Sequence, residues 1–259
     1  MEQFDLNERR LADTLYEAYE KREGLEKDRV PALLEKQTAY AIQHELTKLK
    51  EERGNDPLKG YKISLTSPET QELFASDSPL YGALTDSAIL DSELRLSDLQ
   101  SPLIELELVF HVNEQLSPAD SPEELLQKTT VAPGLEVPDS RFTDWFPKLS
   151  LGQVIADSAV AGKIVCGKPV TDVSYAQLDG IQGRLLHNGE EIAAGSSTEV
   201  LGHPLNSLQW LVNELHGHGL ALEAGMAVSS GTFILPKTLE KGTYEGTFEG
   251  IGSVTLEVV

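Results

Sequence analysis

The run Ile104-Glu-Leu-Glu-Leu-Val-Phe110 fixes more about this chain than any other stretch. It alternates acidic and apolar residues with a period of two, the signature of a β-strand. As a strand it puts Glu105 and Glu107 on one face and Ile104, Leu106 and Leu108 on the other. Two carboxylates on one face repel unless something positive lies between them. A third acid, Glu136 in Ala132-Pro-Gly-Leu-Glu-Val-Pro-Asp-Ser-Arg141, would complete an oxygen-rich set suited to a hard divalent cation. The competing reading is a solvated acidic face on a half-exposed antiparallel strand. The pattern alone leaves both open.

Strands dominate the chain from Leu103 onward. The expected ones are Leu103–Val112, Val154–Ala159, Val170–Leu178, Gly183–His187 and Gly252–Val259, with a tight hairpin turn at His187-Asn-Gly189. A short alternating strand, Tyr61-Lys-Ile-Ser-Leu-Thr, follows the turn cluster Gly54-Asn-Asp-Pro57. Before it, residues from about Leu6 to Lys50 read as helices. Leu11, Leu15 and Tyr19 recur at intervals of four, and Ala39, Ile42, Leu46 and Leu49 resume the stripe after a break near Pro31. One later helix, Pro204–Leu215, carries Leu208, Leu211, Val212 and Leu215 on one face and stops at His216-Gly-His-Gly219. Helices segregated from runs of strands predict an α+β fold. The expected organisation is a helical part over 1–60 and a β-rich core over 61–259, joined as one compact unit.

Charge narrows the partners. Lys and Arg number 21 against 42 Asp and Glu, a formal charge of −21. Such a field repels nucleic-acid phosphates and anionic membranes, so neither is an expected partner. An anionic substrate then needs a metal or a local cation to receive it. The single cysteine, Cys166, excludes an internal disulfide and suits a reducing compartment. The acidic start Met1-Glu-Gln-Phe-Asp-Leu lacks the basic-then-apolar order of a secretory signal. No apolar run approaches the ~20 residues that span a bilayer. A cytoplasmic protein is expected.

Several motifs occur in one order along the chain: Ala39-Tyr-Ala-Ile-Gln43, Gly60-Tyr-Lys-Ile-Ser-Leu-Thr-Ser67, the Glu105/Glu107 strand, Leu135-Glu136 with Asp139-Ser-Arg141, and Ile155-Ala-Asp157. Gly202-His-Pro-Leu-Asn206 with Trp210-Leu211 and Glu249-Gly-Ile-Gly-Ser-Val254 complete the set. Together they resemble the 2-oxopent-4-enoate hydratase and 4-oxalocrotonate decarboxylase family of the fumarylacetoacetate hydrolase superfamily, over nearly the whole chain. The resemblance implies a helical N-terminal part on a large, mostly antiparallel β-roll, assembled as a homo-oligomer. It implies that Glu105, Glu107 and Glu136 hold Mg²⁺ or Mn²⁺ and that Lys62 transfers protons. A lysine near a divalent ion in a partly closed cleft is expected to have a lowered pKa. Asp139 and Arg141 are candidates for orienting a metal ligand, with an exposed salt bridge as the alternative. Asp157 is a candidate substrate contact or a structural turn residue.

The sequence departs from the family pattern at four positions. Ser64 stands where glycine is common, and Ser158 and Val160 replace an asparagine and a serine. Leu80, in Pro79-Leu-Tyr-Gly82, stands where hydratases often carry an aspartate and decarboxylases tend to be apolar. The expected activity is metal-dependent hydration of 2-hydroxypenta-2,4-dienoate to 4-hydroxy-2-oxopentanoate. The alternatives are decarboxylation of a 4-oxalocrotonate-type (2-oxo-3-hexenedioate) substrate at the same metal site, and a non-catalytic partner of an active relative. Other chemistries lack their residues. His216 and His218 have no third zinc ligand at suitable spacing, and His216 at a helix end is better explained by the helix dipole. Gly180, Gly183 and Gly189 precede no helix start that could cradle phosphate. Ser229-Ser-Gly231 is not a Gly-x-Ser-x-Gly elbow.

Overall fold

The fold comes from a computed structural model that describes residues 2–259, with side chains from Asn7 onward. The side chains of the acidic start, Met1 to Leu6, lie outside the described residues. Two helices come first, α1 (Glu2–Lys21) and α2 (Lys36–Gly54), pressed together through Leu11, Leu15, Ile42 and Leu46, all buried. Asn55 ends α2 in the left-handed conformation, with its N–H returning to Glu51 and Lys50 carbonyls. Then come β1 (Leu58–Ser64), α3 (Pro68–Leu73), β2 (Leu80–Thr85) and two short strands, β3 (Ile89–Leu90) and β4 (Glu93–Leu94). Strand β5 (Leu103–Val112) and strand β6 (Thr129–Val137) flank α4 (Pro122–Gln127). Helix α5 (Leu151–Ala156) leads to β7 (Lys163–Cys166), and α6 (Tyr175–Leu178) to the hairpin β8 (Gln182–His187) and β9 (Glu190–Ser196). The chain closes with α7 (Pro204–Gly217), β10 (Ala227–Thr232), β11 (Lys237–Thr238), β12 (Gly242–Phe248) and β13 (Gly252–Val258).

Two curled sheets result. One runs β2-β1-β10-β5-β6-β7-β3 with β11 alongside β5, and the other runs β4-β13-β12-β8-β9. Antiparallel pairing prevails, and among the described residues the strand pairs β1/β10, β3/β7 and β4/β13 run parallel. The α+β expectation holds, as does the mostly antiparallel roll. Apolar side chains of β5 and β6, among them Leu106 and Leu135, are fully buried in the core. Gln43, fully buried on α2, donates to the carbonyls of Tyr81 (3.1 Å) and Ile155 (2.8 Å), tying the helical part to β2 and α5. Among the described residues no helix is long and apolar enough to cross a membrane.

Two expected strands are not strands. Val154–Ala159 lies in α5 and the turn after it, because Ser150 and Gln153 form a capping box that starts a helix. Its apolar run is buried all round, and periodicity alone cannot separate a buried helix from a buried strand. Val170–Leu178 contributes one isolated bridge, Val131 to Val170, before α6 starts behind another capping box at Ser174.

Candidate metal centre and substrate cavity

Strand register builds the acidic cluster. Glu105 and Glu136 are directly opposed across the β5/β6 pair, and Glu107 lies two residues along the same face of β5. All three are buried, and one carboxylate oxygen from each lies within 4.8 Å of the others. Lys62 joins them through the sheet. It pairs with Ser229 of β10, and Ser229 pairs with Val109 of β5. Its Nζ sits 2.5 Å from Glu136 Oε1, with Lys62 2% and Glu136 0% exposed. Beyond this ion pair neither oxygen of Glu136 receives a hydrogen bond.

Glu107 is held differently. The β10/β5 register slips between Ser229 and Thr232, a bulge that aims two donors at one oxygen. Ser229 Oγ donates to Glu107 Oε2 at 2.5 Å and the Gly231 N–H donates to it at 2.9 Å. Gly231 has φ +117, and a Cβ there would meet Thr66 Cγ2 at 2.5 Å, so the bulge requires glycine. Ser229 and Gly231 escape a reading of the sequence based on nucleophile motifs. The signal that could have found them is a glycine inside a strand, which marks bulges.

The site's charge is unbalanced, with three acids against one base. Burial pushes Glu105 up to about 8, with Lys62 opposing and Glu136 reinforcing the shift. Burial, then Glu136 and Glu105, hold Glu107 well above the ordinary carboxylate range. For Lys62, burial disfavours the ammonium, but Glu136, Glu105 and Glu107 outweigh it and raise its pKa. This direction belongs to the metal-free cluster, where the acids are its nearest neighbours; the lowering expected beside a divalent ion concerns the metal-bound site. An Oε2 of Glu136 with no partner, raised acids at 105 and 107 and an all-oxygen donor set fit a hard divalent ion.

A pH dependence follows. Glu105 and Glu107 bind protons in the folded metal-free protein at pH values where the unfolded chain has released them. Stability therefore falls as pH rises from about 4.5 towards 8. The raised Lys62 contributes stability that is lost only as pH rises from 10.5 through its higher folded pKa, outside this window. We predict a metal-free Tm that declines from pH 5 to pH 8, and a Tm gain from Mg²⁺ that grows over the same interval. A flat profile with and without Mg²⁺ would contradict it.

Beside the acids lies a cavity of about 50 Å³. Leu73, Phe74, Trp145, Phe146, Val154 and Pro236 form apolar walls, and Ser64, Thr66 and Thr232 supply hydroxyls. Lys62 is the one cationic residue in its lining. Trp145 is fixed by a bond from Nε1 to the Ser101 carbonyl (2.9 Å), and Phe146 packs edge-on against it at 5.3 Å. The aromatic walls come from loops and a short helix, where no periodicity marks them.

Asp139, Arg141 and Asp157 are brought to a different task. Arg141 pairs with Asp157 through Nε, and its other nitrogens reach the carbonyls of Ala161 (2.7 Å) and Asp157 (2.6 Å). Asp157 also accepts from Ser140 Oγ at 2.7 Å and from the Arg141 N–H at 3.0 Å. Asp139 accepts the Gln100 and Ser101 N–H groups, and its own N–H donates to the Val160 carbonyl at 2.9 Å. The bonds enclose a left-handed turn at Ser158, Ala159 and Val160, with φ of 53, 48 and 53. Such backbone costs about 1–2 kcal/mol per non-glycine residue and persists only where its surroundings enforce it. The turn packs over β2 so closely that a Cβ on Gly82 would lie 1.8 Å from the Ser158 carbonyl oxygen. It carries Val160 into the cavity wall. Among the described residues no hydrogen bond or ion pair joins these three to the acidic cluster, and they meet the cavity wall through Val160. Leu80 is fully buried opposite Ser64 and does not line the cavity.

The architecture is that of fumarylacetoacetate-hydrolase-like proteins, seen for example in a fumarylpyruvate hydrolase from Pseudomonas aeruginosa in complex with Mn²⁺ and pyruvate. That structure covers 79% of this chain and 91% of its own, at a TM-score of 0.62 and 15% identity. A 4-oxalocrotonate decarboxylase from Pseudomonas putida G7, complexed with magnesium and adipate, superimposes with a TM-score of 0.88 at 26% identity, covering 98% of this chain and 97% of its own. In sequence, the chain is 30% identical to a 2-hydroxyhexa-2,4-dienoate hydratase from Comamonas testosteroni over 226 residues, 85% of this chain and 84% of the relative. It is 33% identical to a 2-keto-4-pentenoate hydratase from Paraburkholderia phymatum over 222 residues, 83% of each. No family model matches the chain. The chain belongs to the family of 2-keto-4-pentenoate hydratases and 4-oxalocrotonate decarboxylases.

Proposed function

We propose that the protein hydrates 2-hydroxypenta-2,4-dienoate, or a close analogue with an uncharged distal end, to the 4-hydroxy-2-oxo acid. The observation that carries this reading is the polarity of the cavity: acids and Lys62 at one end, apolar walls elsewhere and no second cation in the lining. A monocarboxylate can place its 1-carboxylate and 2-oxygen at the charged end and its vinyl tail against Phe74, Trp145 and Phe146. A dicarboxylate would have to bury its second charge without a partner, at a cost of several kcal/mol.

Glu105, Glu107 and Glu136 would hold the divalent ion, which when bound supplies Lewis-acid stabilisation of charge at the substrate's oxygens. Lys62 Nζ relays protons. Ketonisation moves a proton from the C2 hydroxyl to C5, giving a conjugated enone, and water then adds its OH to C4 and a proton to C3. The hydroxyls of Ser64 and Thr66 are polar groups available to hold that water, and the aromatic walls exclude bulk solvent.

Decarboxylation of a 4-oxalocrotonate-type substrate is the second reading. The similarity to the P. putida decarboxylase favours it, and the apolar walls at Phe74, Trp145 and Phe146 would promote loss of a distal carboxylate as CO₂. Purified protein with Mg²⁺ should consume 2-hydroxypenta-2,4-dienoate at least tenfold faster than it releases CO₂ from 2-oxo-3-hexenedioate. The opposite order would replace hydration with decarboxylation.

A further inference from the structure

A second cavity, of about 420 Å³, shares no lining residue with the first. It opens between the end of α1, α2, β2 and the segments 139–141 and 161–163. Lys50 of α2 lines it while only 6% exposed. Its ammonium lies over the Tyr19 ring, 4.1 Å from the centroid, and makes no hydrogen bond or ion pair among the described residues. A buried lysine is normally paired.

The acids that could pair with it are already engaged. Asp56 Oδ1 accepts the Ser87 N–H (2.7 Å), and its Oδ2 accepts Thr85 Oγ1 (2.7 Å), Ser87 Oγ (2.8 Å) and the Tyr19 hydroxyl (3.2 Å). Asp157 is bound by Arg141 and Ser140. Asp139 serves the backbone of Gln100 and Ser101. Of the neighbouring cations, Lys163 Nζ donates to the Ser87 carbonyl at 2.7 Å. Among the described residues, Lys50 is the one buried cation of the lining without an anionic partner; Arg22 and Arg141 pair with Asp98 and Asp157, and Arg95 sits exposed at the rim. Burial, then Arg141, hold its pKa down to about 7 against Asp56 and Asp157, so an incoming anion would meet a group in want of a counter-charge.

We infer that this cavity is a ligand site for a small organic monocarboxylate, whose carboxylate pairs with Lys50. Its volume lies in the range of small-molecule sites, roughly 300–1,000 Å³. One unpaired ammonium matches one carboxylate. Ala18, Ala83, Ala88 and Leu90 offer apolar surface for the remainder of the molecule. The lining also holds Arg22, Arg95, Arg141 and Lys163, but Arg22 and Arg141 are already paired with Asp98 and Asp157, and with Glu20 and Glu93 in the wall and an overall charge of −21 a polyanion such as phosphate is disfavoured.

Calorimetric titration of the metal-free protein at pH 7 with sodium benzoate tests this. Benzoate should bind wild type and the Glu105→Gln/Glu107→Gln variant equally, which separates the site from the acidic cluster. It should bind Lys50→Met at least tenfold more weakly, and inorganic phosphate should bind wild type at least tenfold more weakly than benzoate. Should Lys50→Met fail to fold, carbamylation of wild-type Lys50 by cyanate, followed by peptide mass spectrometry, gives the second readout. Benzoate should slow it at least fivefold. Unchanged affinity in a folded Lys50→Met variant, phosphate binding as tightly as benzoate, or no protection of Lys50 would overturn the inference.

Discussion

Lys62→Met is expected to lower turnover about 10²–10⁴-fold while leaving divalent-ion binding intact, because a placed proton-transfer group commonly supplies that factor. Methionine keeps the apolar stem that packs in β1 and removes only the ammonium, which pairs with Glu136 at 2.5 Å. Metal affinity should not fall. The variant removes the one cation that competes for the Glu136 oxygens, and the acids at 105, 107 and 136 remain. Steady-state rates on the dienoate and a parallel Mn²⁺ titration measure the two effects separately. A rate loss below threefold, with metal still bound, would make Lys62 a bystander.

Arg141→Met is expected to destabilise the fold by about 3–5 kcal/mol, the usual result of breaking a buried, hydrogen-bonded ion pair from one side. The substitution strands the Asp157 carboxylate, fully buried, and leaves the Asp157 and Ala161 carbonyls without their guanidinium donors. Those carbonyls bracket the left-handed turn that carries Val160 to the cavity. Where enough folded variant survives for assay, the KM for substrate should rise with the displaced wall. Urea unfolding of wild type and variant reads the stability loss directly. A shift under 1 kcal/mol would show that the turn is held by something other than Arg141.

The acidic cluster was legible because strand period and register are simple. Once Glu105 and Glu107 share a face, one antiparallel neighbour carrying Glu136 completes the set. Strand β6 itself was hidden by Pro133-Gly134, which reads as a break. In the sheet Gly134 sits opposite Glu107, so close to β5 that a Cβ would meet Val109 Cγ2 at 2.6 Å. Val154–Ala159 was misread for a different reason, since a fully buried apolar run has no polar face to reveal its period. The roles of Asp139, Arg141 and Asp157 were not legible. Their motif marks them, but what they hold is a turn whose left-handed backbone leaves no trace in residue type, as Ser158, Ala159 and Val160 are all non-glycine. The crowding of Lys62 by three buried acids, which raises its pKa in the metal-free cluster, is a count visible only in three dimensions.

The most direct test of the account is a calorimetric Mn²⁺ titration of wild type beside Glu105→Gln/Glu107→Gln, paired with turnover of 2-hydroxypenta-2,4-dienoate. Glutamine preserves the volume of each side chain and an acceptor for Ser229 and Gly231, so the fold should persist while two of the three carboxylates are lost. The account predicts one tight site per chain in wild type, at least a hundredfold weaker binding in the variant, and activity that requires the ion in the first and is absent from the second. Equal Mn²⁺ affinity in the two proteins, or hydration that survives both the substitutions and chelation, would contradict it.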